Sequence, residues 1–241
     1  MKTFRSKHGP FLDQPYFEFK EIERICLNEL QNVGLLPQTP GAIRIERFIE
    51  KRFNIVPIYD DVPSEVLGYT RFGAKGVEAI IVSRDLEEKW DEVSRRRANT
   101  TLAHEAGHGL LHTYLFSSAH SDDVATLFGP EFDASTLRIL CRDENIAGGR
   151  QEISQGRYDG RWWEFQANQA MSALLLPCSL VIQCVDSFLV NQGMLGGKVL
   201  EEVRREEAVR QVSAVFDVNP VVGRIRLQEI FPIGDAHQLT F

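Results

Sequence analysis

The chain has 241 residues, 43% hydrophobic and 25% charged, with a formal net charge of −7. That is enough apolar material for a packed core, in one domain or in one domain with a small appendage, and it argues against disorder along most of the length. The acidic balance argues against nucleic-acid binding through the whole surface. No run approaches 18 apolar residues, and the basic start Met1-Lys2-Thr3-Phe4-Arg5 has no apolar stretch of a secretory signal behind it, so a soluble cytoplasmic protein is expected. Cys26, Cys141, Cys178 and Cys184 form no C-x-x-C pair, which points away from a zinc ribbon and from a disulfide framework.

In chain order, the first 16 residues, with two prolines, read as an irregular arm. Phe17 to Val33 reads as a helix with Ile22, Ile25, Cys26, Leu30 and Val33 at three- and four-residue spacing, stopped by Gly34 and Pro37. Thr39-Pro40 has the pattern of a helix opening, and Ile43, Phe48 and Ile49 give the helix behind it an apolar stripe up to Asn54. Three β-rich runs follow: Ile55 to Tyr59, Val66 to Phe72 and Val77 to Val82. The last two are joined by Gly73-Ala74-Lys75-Gly76, a hairpin signal. A small, largely antiparallel sheet of about three strands is expected.

Ser94 is a candidate cap for a helix running from Arg95 to about Phe116. Arg95-Arg96-Arg97 in its first turn would form a solvated face or bridge to acids such as Glu46 or Glu50. Within this helix lies His104-Glu105-Ala106-Gly107-His108. Histidines four apart share one helix face, with Cβ atoms roughly 5–6 Å apart. Both imidazoles can then reach a single zinc at about 2.0–2.1 Å. Glu105 leaves the helix beside the metal, where its carboxylate can take a proton from water that zinc has acidified. This is the H-E-x-x-H pattern of zinc peptidases, and two histidines on a half-exposed helix would produce it as well. His112 is a further turn along the helix, too far to join one ion with both others, and reads as an outer neighbour or a surface residue. His8, His120 and His237 have no motif around them.

Residues 117–159 are rich in Ser, Asp and Gly, with one apolar run, Leu137 to Cys141, of strand character. Such an insertion is a substrate-contacting lid or an inert loop. From Arg161 the chain is helical again, with Trp162, Phe165, Ala167, Ala170, Ala173 and Leu174 forming an apolar surface up to Pro177. A helix through Val190, the loop 191–197, and a closing pair of helices at about 198–216 and 220–230 complete the chain. Glu164 sits in an aromatic, apolar face where an unpaired carboxylate would be costly to bury, so it is the best candidate for the third ligand of a catalytic site. A partly exposed acid flanking two tryptophans is the plainer alternative. Asn168, one turn on, is placed to accept the N–H of a ligating histidine.

Arg96-Arg97, Thr101-Leu102-Ala103-His104-Glu105-Ala106-Gly107-His108, Glu164-Phe165-Gln166-Ala167-Asn168 and Leu174-Leu175-Leu176-Pro177, in that order, resemble the ImmA/IrrE family of bacterial zinc metallopeptidases. The likeness covers roughly residues 40–180. It departs at Ala170-Met171-Ser172, where the family usually has a phenylalanine followed by alanines, and in the length of the 117–159 insertion. The resemblance implies an α+β fold: a mainly helical zincin-like core over residues 1–190, with a helix-turn-helix-like region at 191–241. It implies zinc, with manganese as a substitute, held by His104, His108 and Glu164, and Glu105 as general base. It also implies an endopeptidase whose substrate is a helix-turn-helix transcriptional repressor. The alternative is a regulatory or toxin-antitoxin-type binding protein that keeps the fold and docks such a repressor without cutting it.

By residues alone, the C-terminal part is two short amphipathic helices around a turn. Arg204, Arg205, Arg210, Arg224 and Arg226 could touch phosphate but are diluted by Glu201, Glu202, Glu206 and Glu207, so a packing or protein-docking element is expected rather than a reader of DNA. Tyr114, Arg157, Tyr158, Arg161 and His237 are candidate donors to an oxyanion, with no basis in sequence for choosing among them.

Overall fold

A computed structural model describes residues 2–5, 13–63, 65–73, 75–89, 91–114, 132–133, 138–142, 162–191 and 197–232. The arm is not irregular throughout: β1 (Lys2–Arg5) and β2 (Asp13–Tyr16) pair antiparallel. Backbone hydrogen bonding between short extended segments leaves no periodic apolar signal to read. Helix α1 (Phe19–Asn32) opens with reciprocal hydrogen bonds between Glu18 and Glu21 and buries Ile22, Cys26 and Leu30. Helix α2 spans Ile45–Phe53. It starts five residues after Pro40, so Thr39-Pro40 is not its opening, and it ends at Asn54 in the left-handed conformation that asparagine tolerates.

Strands β3 (Ile58–Asp60), β4 (Val66–Gly73) and β5 (Gly76–Ser83) follow, then a single turn, α3 (Asp85–Glu88). β4 and β5 form the expected antiparallel hairpin, while β3 runs parallel to β5. The sheet is wider than three strands. β6 (Phe132–Asp133) and β7 (Arg138–Arg142), both from the 117–159 insertion, extend it in the order β3-β5-β4-β7-β6. The apolar run at 137–141 is therefore a strand, paired antiparallel to β4. The other residues of that insertion lie outside the described ones.

The long helix α4 spans Glu92–Leu111. Its cap is Asp91 rather than Ser94: the Asp91 carboxylate accepts from the Ser94 N–H at 2.8 Å and from its hydroxyl at 2.7 Å. Helix α5 (Trp162–Leu175) lies along α4, and α6 (Cys178–Cys184) follows Pro177. α6 does not continue to Val190; the chain passes through a 3₁₀ turn into the hairpin β8 (Leu189–Asn191) and β9 (Lys198–Leu200). The last two helices are α7 (Arg205–Phe216) and α8 (Pro220–Ile230), the latter with proline in its first turn. The fold is α+β. No described helix is by itself long and apolar enough to cross a membrane.

One apolar core runs through the molecule, from Ile22, Cys26 and Leu30 of α1 through Leu102 and Ala106 of α4 and Ala170 and Leu174 of α5 to Val209, Val212 and Leu227 of α7 and α8. α4 is its axis, with β4 and β5 on one side and α5 on the other. The approach of α4 to α5 depends on Gly107, where an added Cβ would lie 3.0 Å from both the Ala167 carbonyl oxygen and the Ala170 Cβ. Arg95 and Arg96 pair with neither Glu46 nor Glu50. Both reach Asp217, in the left-handed bend between α7 and α8, with hydrogen bonds of 2.8 and 3.0 Å. These two guanidiniums hold the Asp217 carboxyl below the usual range.

Gly107→Val should force α4 and α5 apart and lower metal-free stability by about 1–3 kcal/mol, a drop of several degrees in thermal midpoint measured by circular dichroism in chelator. An unchanged midpoint would mean that the two helices do not pack as closely as described.

Candidate metal centre

His104 and His108 lie one turn apart on α4, and Glu164 lies in the first turn of α5. Because α4 and α5 run side by side at the Gly107 contact, the three side chains meet between them. His104 and His108 are completely buried, and Glu164 is 6% exposed. His104 Nε2 is 3.0 Å from His108 Nε2 and 3.1 Å from Glu164 Oε2, and His108 Nε2 is 3.4 Å from Glu164 Oε1. One donor atom from each residue falls within 4.8 Å of the others, so the group could hold a metal ion. A tetrahedral ion with ligands at 2.0–2.1 Å has donor-to-donor edges of about 3.3–3.4 Å, close to these separations.

The hydrogen bonds behind the three residues decide where the imidazole protons sit. Asn168 Oδ1 is 2.9 Å from His104 Nδ1. An amide oxygen only accepts, so His104 carries its proton on Nδ1 and turns Nε2 inward as a lone pair. Gln166 Oε1 is 3.1 Å from His112 Nε2, which is then the N–H and leaves His112 Nδ1 as an acceptor. His108 Nδ1, 3.0 Å from His112 Nδ1, must donate to it, so His108 Nε2 is also an inward lone pair. His112 is fully buried, and burial together with its neighbour His108 pushes it down to about 3, which keeps it neutral. Burial also lowers His108, against the opposing pull of the Glu164 carboxylate. Burial alone would raise Glu164, but the two histidines outweigh it and hold the carboxyl well below its ordinary range.

Two lone pairs and a carboxylate thus face one another across about one tetrahedral edge. A protonated imidazole attracts the carboxylate, which is what holds Glu164 below its ordinary range; with both rings neutral, the inward lone pairs and the carboxylate repel, and a divalent ion removes that repulsion. The donor set fits a metal on its own chemistry.

Glu105 projects from α4 toward β4. It is fully buried, and its Oε2 accepts from the Thr70 hydroxyl of β4 at 2.6 Å. His112 takes the outer place expected of it and is not a surface residue; Trp162 packs edge-on against its ring at 5.6 Å. Sequence reasoning missed Gln166 and Thr70. Gln166 has a signal that could have found it: it lies within the same Glu164–Asn168 turn. Thr70 has none, since a threonine in a β-rich run is ordinary. Of the candidate oxyanion donors only Tyr114 is among the described residues, 39% exposed just beyond α4. Arg157, Tyr158, Arg161 and His237 lie outside them, as do His8 and His120.

Compared with known protein families, with characterised proteins and with solved structures, the chain matches none.

Removing the hydrogen-bond relay should weaken the centre without removing a ligand. Gln166→Leu and Asn168→Ala are each expected to lower metal affinity about 10–100-fold in competition with a chromophoric chelator. The pH dependence of the metal-free protein has a definite sign. His112 is neutral in the folded chain down to about 3 but titrates near 6.5 when unfolded, so below 6.5 the unfolded state binds more protons. Stability should be full above 6.5 and fall steadily as pH drops toward 3, and His112→Phe should flatten that slope in thermal scans between pH 7 and 5.

Proposed function

We propose that the chain is a metal-dependent endopeptidase, with zinc as the ion, manganese as a workable substitute, and His104, His108 and Glu164 as its ligands. What carries this reading is the convergence of two tautomer-set imidazole nitrogens and a buried carboxylate, with a second carboxylate, Glu105, on the residue after the first histidine. Two histidines and a glutamate form an established catalytic zinc set, leaving one coordination position for water or substrate. When bound, such an ion supplies Lewis acidity and lowers the pKa of water to about 7.

The remaining chemistry belongs to the chain. Glu105, held by Thr70, accepts the proton of the attacking water and returns it to the leaving amine nitrogen. Asn168, and His112 backed by Gln166, keep the ring protons on the far sides of His104 and His108, so both stay available as ligands. Burial of the group excludes bulk water and strengthens every electrostatic interaction within it.

The resemblance to the ImmA/IrrE family extends the proposal to a substrate, a helix-turn-helix transcriptional repressor. Around α7 and α8, Arg204, Arg205, Arg224 and Arg226 each meet a carboxylate of the chain: Glu207, Glu202, Glu206 and Glu229 respectively. Four of the five arginines are thus paired within the chain, with Arg210 exposed, which supports reading this region as a packing or docking element rather than a DNA-binding one.

The test is incubation of the purified protein with the repressor encoded beside it, in zinc or manganese, followed by mass analysis of fragments. Glu105→Gln should keep its metal and lose cleavage by at least about 100-fold, the scale of general acid–base catalysis. Glu164→Ala should lose metal. Complex formation with the repressor but no fragment would replace the hydrolase with a docking protein, and cleavage by metal-replete Glu105→Gln would refute the mechanism.

A further inference from the structure

Thr70 lies in the middle of β4, completely buried, with strand partners on both sides: Ile80 on β5 and Ile139 on β7. A hydroxyl has one hydrogen to give. Thr70 Oγ1 is 2.6 Å from Glu105 Oε2 and 3.1 Å from the Glu105 backbone oxygen. The shorter contact, to the carboxyl oxygen, takes the hydrogen. Two residues earlier on the same face of β4 is Gly68, where an added Cβ would lie 2.8 Å from Thr101 Cγ2. Thr101 is one helical turn before Glu105.

Two residues along a strand span about 6.6 Å and four along a helix about 6 Å, so Gly68–Thr101 and Thr70–Glu105 are successive contacts between β4 and α4. The missing side chain at Gly68 lets the strand come close enough to the helix for a short threonine hydroxyl to reach a carboxylate. A glutamate carboxylate otherwise has three side-chain torsions to settle. Holding Oε2 from a strand paired on both edges fixes the carboxylate plane, and with it the direction in which Oε1 is presented.

We propose that Thr70 is a positioning residue for Glu105: its hydroxyl, carried at a fixed height by the close β4–α4 approach at Gly68, sets the orientation in which that carboxylate exchanges a proton. The chemical part of this claim rests on the hydrolase reading; the geometric part does not.

The experiment compares Thr70→Val, which keeps the branched shape and loses the hydroxyl, with Thr70→Ser, which keeps the hydroxyl. Thr70→Ala serves as a second hydroxyl-free variant should valine fail to fold. With all proteins loaded to equal zinc content, Thr70→Val should lose about 10–100-fold in kcat on a cleaved repressor peptide with KM unchanged, the effect of a misplaced catalytic group, and Thr70→Ser should recover most of it. Crystal structures of the zinc-loaded variants give a readout free of activity: the Glu105 carboxylate should turn from its place in Thr70→Val and keep it in Thr70→Ser. An unmoved Glu105 in the valine variant overturns the proposal. So does equal loss of kcat in valine and serine variants, which would mark Thr70 as a packing residue only. A wild-type protein that cleaves nothing sinks the hydrolase reading and leaves Thr70 to be judged by the crystal structures.

Discussion

Two imidazole lone pairs and a carboxylate are aimed at one another between α4 and α5, at 3.0 to 3.4 Å, in a place with almost no access to water. With both rings neutral these three groups repel, and a proton or a cation among them is what relieves it. A buried carboxylate and two desolvated ring nitrogens cost free energy unless hydrogen-bonded or bound to a cation. Asn168, Gln166 and His112 do not relieve the convergence; they enforce it, by occupying the ring positions through which the histidines could otherwise have turned a proton inward. Pre-organisation of this kind trades metal-free stability for a centre ready to bind.

Most of the surrounding architecture holds the two helices at the required distance and rotation. Gly107 admits α5 to the surface of α4, within the same pentapeptide that supplies two of the three donors. The N-terminus of α4 is capped by Asp91 and tied by Arg95 and Arg96 to Asp217 in the α7–α8 bend. From the other side, Arg226 of α8 is completely buried, donates to the Leu176 carbonyl at 2.9 Å, and pairs with Glu23 of α1 and Glu229. That contact anchors the end of the α5 segment, so the C-terminal helices brace both helices of the candidate metal centre. Arg205 and Arg226, two of the five arginines there that could have met phosphate, are buried and tied to groups of the chain itself.

The sheet plays a different part. Its hairpin β4–β5 forms one wall against α4, and its widest extension comes from the insertion, through β7. β4 therefore has partners along both edges at Thr70, whose hydroxyl touches the catalytic carboxylate candidate. The 117–159 insertion thereby contributes a strand that pairs with β4 at Thr70, beneath Glu105.

The local parts of this protein are legible in its residues. Helix α1, the β4–β5 hairpin, the strand at 138–142 and the last helix all follow from apolar spacing and the glycines of the 73–76 turn. His104, Glu105, His108, Glu164 and Asn168 stand out because their spacing on two helices is itself a geometry. Helix boundaries were less legible: Asp91 and Ser94 both suit a cap, and only the backbone path shows which one accepts. What only the tertiary structure decided is which distant residues meet. The Thr70 hydroxyl on Glu105, Asp217 on Arg95 and Arg96, the parallel seating of β3 and the sheet's fourth and fifth strands all join segments far apart in the chain. Local propensity carries no term for such contacts, because they are set by the packing of whole helices and strands against one another.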